Sequence, residues 1–166
     1  TLVNFCRKKL KTNELNDITV ASSVYHYLMS LNVSSRITFV DIPKTIILKY
    51  FDLEQYEKTA LHLKEMIRDF SGRNDLIAFA YWKLGRVYME TSGAGKGGEV
   101  DEKMVKKAIY SFKEVLIKCP EIRIYNYYAL EEMAKACRAV GDFTQATEFE
   151  KAMSKYKEFS SEARRE

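Results

Sequence analysis

The chain has 166 residues, of which 46% are hydrophobic and 30% charged, a balance that is typical of one globular domain. Two prolines and seven glycines supply too few turn residues for an all-β fold, and a formal net charge of +4 does not by itself indicate a nucleic-acid-binding protein. No run of about 18 apolar residues occurs, so we predict no membrane-spanning helix.

Apolar residues recur at helical spacing along most of the chain, which predicts an all-α fold of four helical pairs. The pairs are predicted over residues 1–31, 42–70, 76–120 and 127–159. Pro43 is tolerated in a first helical turn, and Gly141 can adopt the left-handed conformation that ends a helix. Residues 91–101 form a glycine-rich insert in the third pair, which we expect to be a flexible loop.

The first pair begins with a short helix, in which we expect Leu2, Phe5, Cys6 and Leu10 to face inward. The three cysteines, Cys6, Cys119 and Cys137, share no short spacing. We interpret them as core residues with free thiols, which favours an intracellular protein, cytoplasmic or nuclear. The sequence begins with Thr1 and carries no signal-peptide pattern, and we expect it to be a piece of a longer protein.

The third pair carries the strongest pattern, reading AYWKLGRVYM and then AIYSFKEVLIKCP. The residues predicted to face inward are Tyr81, Leu84, Gly85 and Tyr88 on the first helix and Ala108, Phe112 and Val115 on the second. Neither stripe can be buried alone, so we expect an antiparallel hairpin that ends at Pro120. Gly85 and Ala108 are the small residues that would let the two backbones approach.

This order of an aromatic residue, Leu-Gly, Tyr, Ala, Phe and Pro resembles the signature of the tetratricopeptide repeat. The match departs at Val115, where the family prefers alanine. The resemblance implies helical hairpins stacked as a short right-handed superhelix, an α-solenoid, with residues 1–166 as a single helical-repeat domain. It is strongest over residues 80–120 and weakest over 1–31.

Positions of close helix approach recur in step across the four pairs; most carry small residues, but Ile47 replaces the small residue in the second pair. The close-approach positions are Ala21, Thr59, Ala108 and Ala146 on the second helices and Ile47, Gly85 and Ala134 on the first. Both series have a 38-residue spacing, apart from one gap of 49 residues that contains the insert. This period is about four residues longer than the usual unit, which leaves room for the related Sel1-like repeats.

Candidate catalytic motifs are incomplete. The run SGAGKGG over residues 92–98 suggests a phosphate-binding loop, but Glu90 replaces its first glycine and Gly97 follows the lysine. His26 and His62 are not at metal-ligand spacing, and we interpret both as structural. We therefore predict no catalysis, cofactor or metal; an enzyme of unrecognised type is a third hypothesis, which a deep pocket with perturbed ionisable groups would support.

The resemblance implies that the first helices line a concave groove. The groove-facing residues it selects are Lys44, Leu48 and Phe51, then Trp82, Arg86 and Met89, then Tyr128, Glu131, Lys135 and Arg138. This mixture suits an extended or helical peptide with acidic or carboxylate groups. The segment IYNYY, with Tyr125, Tyr127 and Tyr128, should leave at least one ring at the surface.

These patterns predict a non-catalytic scaffold or adaptor that binds a partner peptide or subunit through the groove or an apolar end. An uncapped end would also allow self-association, because an unstacked hairpin exposes apolar surface. The alternative is an RNA-binding helical repeat. The small basic excess and the absence of a repeated polar pair in the groove sequence count against nucleic acid.

Overall fold

A computed structural model describes residues 1–31, 40–94 and 99–159. Within these ranges the chain forms eight α-helices and no strand, which confirms the all-α prediction. The helices are α1 Leu2–Lys9, α2 Leu15–Ser30, α3 Asp41–Asp52, α4 Tyr56–Asp69, α5 Asn74–Thr91, α6 Glu102–Lys118, α7 Arg123–Ala139 and α8 Phe143–Met153. A 3-10 helix, Ser154–Phe159, follows α8. Among the helices described, none is both long and apolar enough to cross a bilayer.

Three predicted segments fall wholly or partly outside the described ranges. They are the loop over residues 32–36, the centre of the glycine-rich insert and the polar tail from Ser160. The described chain divides into two compact units, Thr1–His62 and Leu63–Glu166, and the division falls inside α4. Each unit has a core of its own.

In the first unit, α1 packs on α2 and α2 packs on α3. Its core consists of Cys6, Leu10, Ile18, Ala21, Tyr25, Ile42, Ile46 and Tyr50. The prediction that Leu2 and Phe5 face inward is wrong, since they are 45% and 40% exposed. The short helix α1 buries the face that carries Cys6, and Leu10 follows as its buried cap. Leu2 and Phe5 lie beside the buried face and remain accessible.

In the second unit, α5 packs on α6, α6 on α7 and α7 on α8, and α5 also contacts α7. The core consists of Ile77, Ala78, Ala108, Phe112, Val115, Cys119, Ala129, Leu130 and Met133. The predicted hairpin of α5 and α6 is therefore present, and the first helices of two successive pairs lie side by side. This contact between α5 and α7 positions the candidate site.

The close-approach positions are all buried, as the recurring pattern predicts. Ala21, Thr59, Ala108 and Ala146 have no exposed surface on the second helices. On the first helices, Ile47, Gly85 and Ala134 are buried as well. The positions that the 38-residue spacing between successive pairs selects are therefore all buried.

Two helix ends depend on identifiable polar groups. Asp101 caps α6, because its Oδ1 accepts hydrogen bonds from the backbone N–H groups of Lys103 and Met104 at 2.9 and 3.1 Å.

Helix α7 begins at Arg123, four residues before the predicted start at Tyr127. The supposed linker is helical because Asn126 is buried in the first turn, where its Nδ2 donates to the carbonyl oxygen of Pro120 at 2.8 Å. Gly141 has φ of +78°, which confirms the predicted left-handed turn.

Candidate functional site

The groove residues predicted on α5 and α7 face one another across neighbouring helices. Trp82, Arg86 and Met89 recur at helical spacing on α5, and this face borders α7. A cavity of about 570 Å³ opens there. Its lining consists of Arg86, Met89, Glu90, Ala94, Glu132, Lys135, Arg138 and Ala139. We call it the α5–α7 groove; four of its lining residues, Arg86, Met89, Lys135 and Arg138, were selected from the sequence.

Aromatic rings of α5 and α7 pack beside these groove residues. The Trp82 ring centroid lies 5.8 Å from that of Tyr125 and 5.7 Å from that of Tyr128, and the two tyrosines are 6.1 Å apart. Burial, and then the neighbouring Tyr128, raise the pKa of Tyr125. Tyr127 is buried and the other two tyrosines are half-buried, so the predicted surface tyrosine is only partly accessible. The rings bury one another against Trp82, which the sequence pattern did not indicate.

The cations of the groove are held by carboxylates of the same unit. Glu132 lies between two of them, 3.9 Å from Arg86 and 3.1 Å from Lys135. Glu90 lies 3.7 Å from Arg86, and Glu131 lies 3.4 Å from Lys135. Burial alone would lower the pKa of Lys135, but its hydrogen bonds and charge attraction to Glu132 and Glu131 raise it overall. These two carboxylates therefore favour the charged form of the lysine.

Arg138 extends the same arrangement to α8. Its guanidinium donates two hydrogen bonds to Oε1 of Glu150, at 3.1 and 2.5 Å. Each of the three groove cations is therefore paired with a carboxylate of this chain.

Charged side chains make up most of the groove lining, with two arginines, one lysine and two glutamates beside Met89 and two alanines. The Nε1–H of Trp82 is buried without a hydrogen-bond acceptor in the described part of the chain. The guanidinium of Arg86 lies 5.8 Å from the centroid of the Trp82 ring, within reach of a cation–π contact.

The remaining predicted groove residues belong to the first unit. Lys44, Leu48 and Phe51 are half-buried and share one face of α3. The Phe51 ring contacts the Tyr56 ring edge-on at 5.8 Å between centroids. The α5–α7 groove belongs to the second unit, so the structure brings together the predicted α5 and α7 residues, and these three form a separate set.

The two histidines lie together, which the sequence analysis missed. The rings of His26 and His62 stack with 5.1 Å between centroids, and the Tyr50 ring stacks on His62 at 5.5 Å. Nε2 of His62 shares a hydrogen bond with Oγ of Ser22 at 3.1 Å. No short motif could reveal this pair, because 36 residues separate its members. Within this unit the pair could offer two imidazole nitrogen atoms to a metal ion.

The three cysteines are buried and free, as predicted.

Comparison of the chain with protein-family models, curated proteins and solved structures finds no match. The likeness to the tetratricopeptide repeat thus rests on the residues quoted above.

Proposed function

We propose that this chain is a non-catalytic helical-repeat module that holds a segment of a partner protein in the α5–α7 groove. The observation that carries the proposal is the convergence of Arg86, Met89, Lys135 and Arg138 on one cavity of about 570 Å³. The resemblance to the tetratricopeptide repeat selects these four residues as groove-facing. A groove between neighbouring helices is a common seat for peptide segments.

The chemistry of the groove favours a partner segment with both acidic and apolar side chains. Carboxylates of the partner would compete with Glu132 for Arg86 and Lys135, while an apolar side chain would pack on Met89. Arginine and aromatic residues are enriched among the residues that dominate binding energy at interfaces. The Trp82 and Tyr128 rings, which pack against each other at a tilt next to Arg86, meet that description.

RNA binding remains the second hypothesis, and the ion pairs count against it. A phosphate backbone is bound by clusters of cations that release counterions, whereas Arg86, Lys135 and Arg138 each face a carboxylate. Binding to an RNA pool at two salt concentrations separates the two functions. Strong binding that falls steeply with salt would favour RNA over a protein partner.

Affinity capture from the native source tests the groove with a charge-reversed chain, Arg86→Glu with Lys135→Glu. Lys64→Glu is the matched control, because Lys64 is exposed in mid-helix and lines neither this groove nor another described cavity. We expect one specific partner to be lost with the double variant and kept with the control. An unchanged partner set would contradict the proposal.

Charge reversal places new carboxylates beside Glu132, so the folding of the double variant must be checked by its thermal unfolding. The neutral pair Arg86→Gln with Lys135→Gln removes the cations without this repulsion. Loss of the same partner with both pairs of variants would support the groove, and retention of the partner by the neutral pair would contradict it.

We also propose that the exposed apolar residues of α1 allow self-association. Leu2 and Phe5 are each 40% exposed or more on a helix that packs on α2. Sedimentation of the chain and of the variant Leu2→Glu with Phe5→Glu tests this. A dimer that the variant converts to a monomer is the expected result, and a wild-type monomer at all concentrations would contradict it.

A further inference from the structure

A second cavity opens on the hairpin of α5 and α6, apart from the α5–α7 groove. Its volume is about 510 Å³. Its lining consists of Tyr81, Leu84, Tyr88, Lys103, Lys106, Lys107, Tyr110 and Ser111. We call it the tyrosine–lysine cavity. It shares no lining residue with the α5–α7 groove, so conclusions about the two are independent.

The floor of the tyrosine–lysine cavity is apolar. Tyr81, Leu84 and Tyr88 follow one face of α5 over about two helical turns. Leu84 is buried and the two tyrosines are half-buried. Tyr110 of α6 stands at the edge with 66% of its surface exposed. An exposed tyrosine beside an apolar concavity is typical of a protein-binding surface, since the ring offers contact area at a small cost in conformational entropy.

The rim of the cavity carries three lysines at the N-terminal end of α6. Acidic side chains would stabilise a helix at this end. Lys103, Lys106 and Lys107 lie in the first two turns of α6, near the positive end of the helix dipole. Only Lys106 has a carboxylate partner in the described ranges of the chain, Glu102 at 3.7 Å, and both side chains are largely exposed. Lys103 and Lys107 thus form no ion pair in the described ranges, unlike the cations of the α5–α7 groove, although Glu99 and Asp101 line another cavity together with Lys103.

We propose that the tyrosine–lysine cavity docks an acidic amphipathic helix of a partner protein. One apolar face of that helix, about two turns long, would cover Leu84 and pack against Tyr88 and Tyr110. Its flanking Glu or Asp side chains would reach Lys103 and Lys107. The apolar floor favours an apolar stripe on this occupant, and the two lysines that form no ion pair favour acidic flanks.

The geometry favours a protein over nucleic acid. Bases bind by stacking on free aromatic faces. Here Nζ of Lys107 lies 5.8 Å from the Tyr88 ring centroid, and Nζ of Lys118 lies 5.2 Å from that of Tyr81. The Tyr88 ring thus already has a cation nearby, and Lys118 donates to the Tyr81 hydroxyl at 3.1 Å, which leaves Tyr110 as the most accessible ring of the three. The geometry also disfavours a membrane, because bilayer binding needs apolar groups that protrude, and the apolar floor here is concave.

Fluorescence anisotropy with a labelled model peptide tests the proposal. The probe is a helical peptide about five turns long with leucines on one face and glutamates on its flanks. We expect the wild-type chain to bind it and to bind neither a version with lysines in place of glutamates nor a scrambled version without an apolar face. Lys103→Glu with Lys107→Glu, and separately Tyr110→Ala, should each weaken binding about tenfold or more.

Two control variants separate the cavity from other surfaces. Lys113→Glu changes an exposed lysine of the same helix that does not line the cavity, and it should bind the probe as the wild type does. Arg86→Gln should also leave binding unchanged, so that failure here is distinguishable from failure of the proposed groove. Tyr110 is exposed, and its replacement should not impair folding.

Several results would overturn the proposal. They are equal binding of the scrambled peptide, unchanged affinity in both cavity variants, and binding of poly(U) RNA or of phosphatidylserine-containing vesicles in place of the acidic peptide. Probe binding that Arg86→Gln abolishes would likewise overturn it, because the peptide would then occupy the α5–α7 groove.

Discussion

Gly85 of α5 lies against the ring of Phe112 of α6, so closely that no side chain fits between them. A Cβ atom at Gly85 would lie 2.6 Å from Cδ1 and 2.7 Å from Cζ of that ring. Phe112 has no exposed surface, and its ring is held by the core of the second unit. The missing side chain at Gly85 therefore sets the distance between the two helices of this hairpin.

Gly85→Ala should destabilise the chain. Forcing a methyl group into a close-packed site costs about 1–3 kcal/mol, and the better helix propensity of alanine returns up to about 1 kcal/mol. We expect a net loss of about 1–2 kcal/mol in the free energy of unfolding. Urea unfolding followed by the fluorescence of Trp82, the single tryptophan, measures it.

Two further variants control this measurement. Gly72→Ala adds the same methyl group where nothing lies within 4 Å, and it should change stability by less than about 0.5 kcal/mol. The double variant Gly85→Ala with Phe112→Leu should lose less stability than the sum of the losses in the two single variants. The smaller leucine side chain makes room for the added methyl group. A Gly85→Ala chain as stable as the wild type would show that the ring can move aside.

The sequence predicts features that depend on neighbouring residues of one helix better than features that depend on contacts between helices. Gly85 and Ala108 were predicted as close-approach residues from helical spacing, and both are buried. The partner of Gly85 is the Phe112 ring, a detail that depends on how the side chains interlock. The resemblance to the tetratricopeptide repeat selected Arg86 and Lys135 for one groove. It could not reveal that Glu132 bridges them, because that pairing depends on the approach of α5 to α7.

The features that the sequence did not predict also depend on contacts between distant parts of the chain. The stack of His26 on His62 needs two helices distant in sequence to meet. Leu2 and Phe5 have the spacing of inward residues, but a face of a helix is buried only where another element covers it. The early start of α7 depends on one side-chain hydrogen bond, from Asn126 to the carbonyl of Pro120.

Removing the indole N–H of Trp82 should lower the free energy of unfolding only slightly. Trp82 donates to no acceptor in the described ranges, so Trp82→Phe keeps most ring contacts and deletes a buried, unsatisfied donor. We expect the free energy of unfolding to change by less than about 1 kcal/mol. Trp82→Ala should cost about 3 kcal/mol, because the contacts with Tyr125 and Tyr128 are lost. Thermal unfolding by circular dichroism compares them, and similar losses in both variants would contradict this account.

The thiols should be inert in the native chain. Burial is the main reason that the pKa values of Cys6, Cys119 and Cys137 are all raised, so little thiolate is present at neutral pH. A disulfide reagent such as DTNB should label none of them rapidly at pH 7.5 and all three in denaturant. Fast labelling of a native thiol would contradict the burial described here.

The ion pair of Arg7 and Asp41 should make stability fall at low pH. Hydrogen bonds from the guanidinium, at 2.8 and 3.1 Å, hold the pKa of the Asp41 carboxyl below 3.8. Its contribution is therefore complete above pH 3.8 and is lost as the pH falls through the lowered value. Both side chains are about half exposed, so the effect is small and weakens with salt.

Comparison of the wild type with Arg7→Gln isolates this pair. Their urea midpoints should differ at pH 6 and converge toward pH 2, where Asp41 is protonated in both. A difference that is constant over this range would mean that Arg7 acts through packing of its aliphatic stem.

Photo-crosslinking in an extract of the native source tests most directly whether the α5–α7 groove holds a partner. The photoreactive residue p-benzoylphenylalanine replaces Met89 in the groove or, as a control, Ile117, which is 69% exposed and lines neither the groove nor the tyrosine–lysine cavity. The groove proposal predicts one dominant crosslinked protein from position 89, absent from position 117 and lost with Arg86→Gln and Lys135→Gln. The same crosslinked set from both positions, or none from position 89, would contradict it.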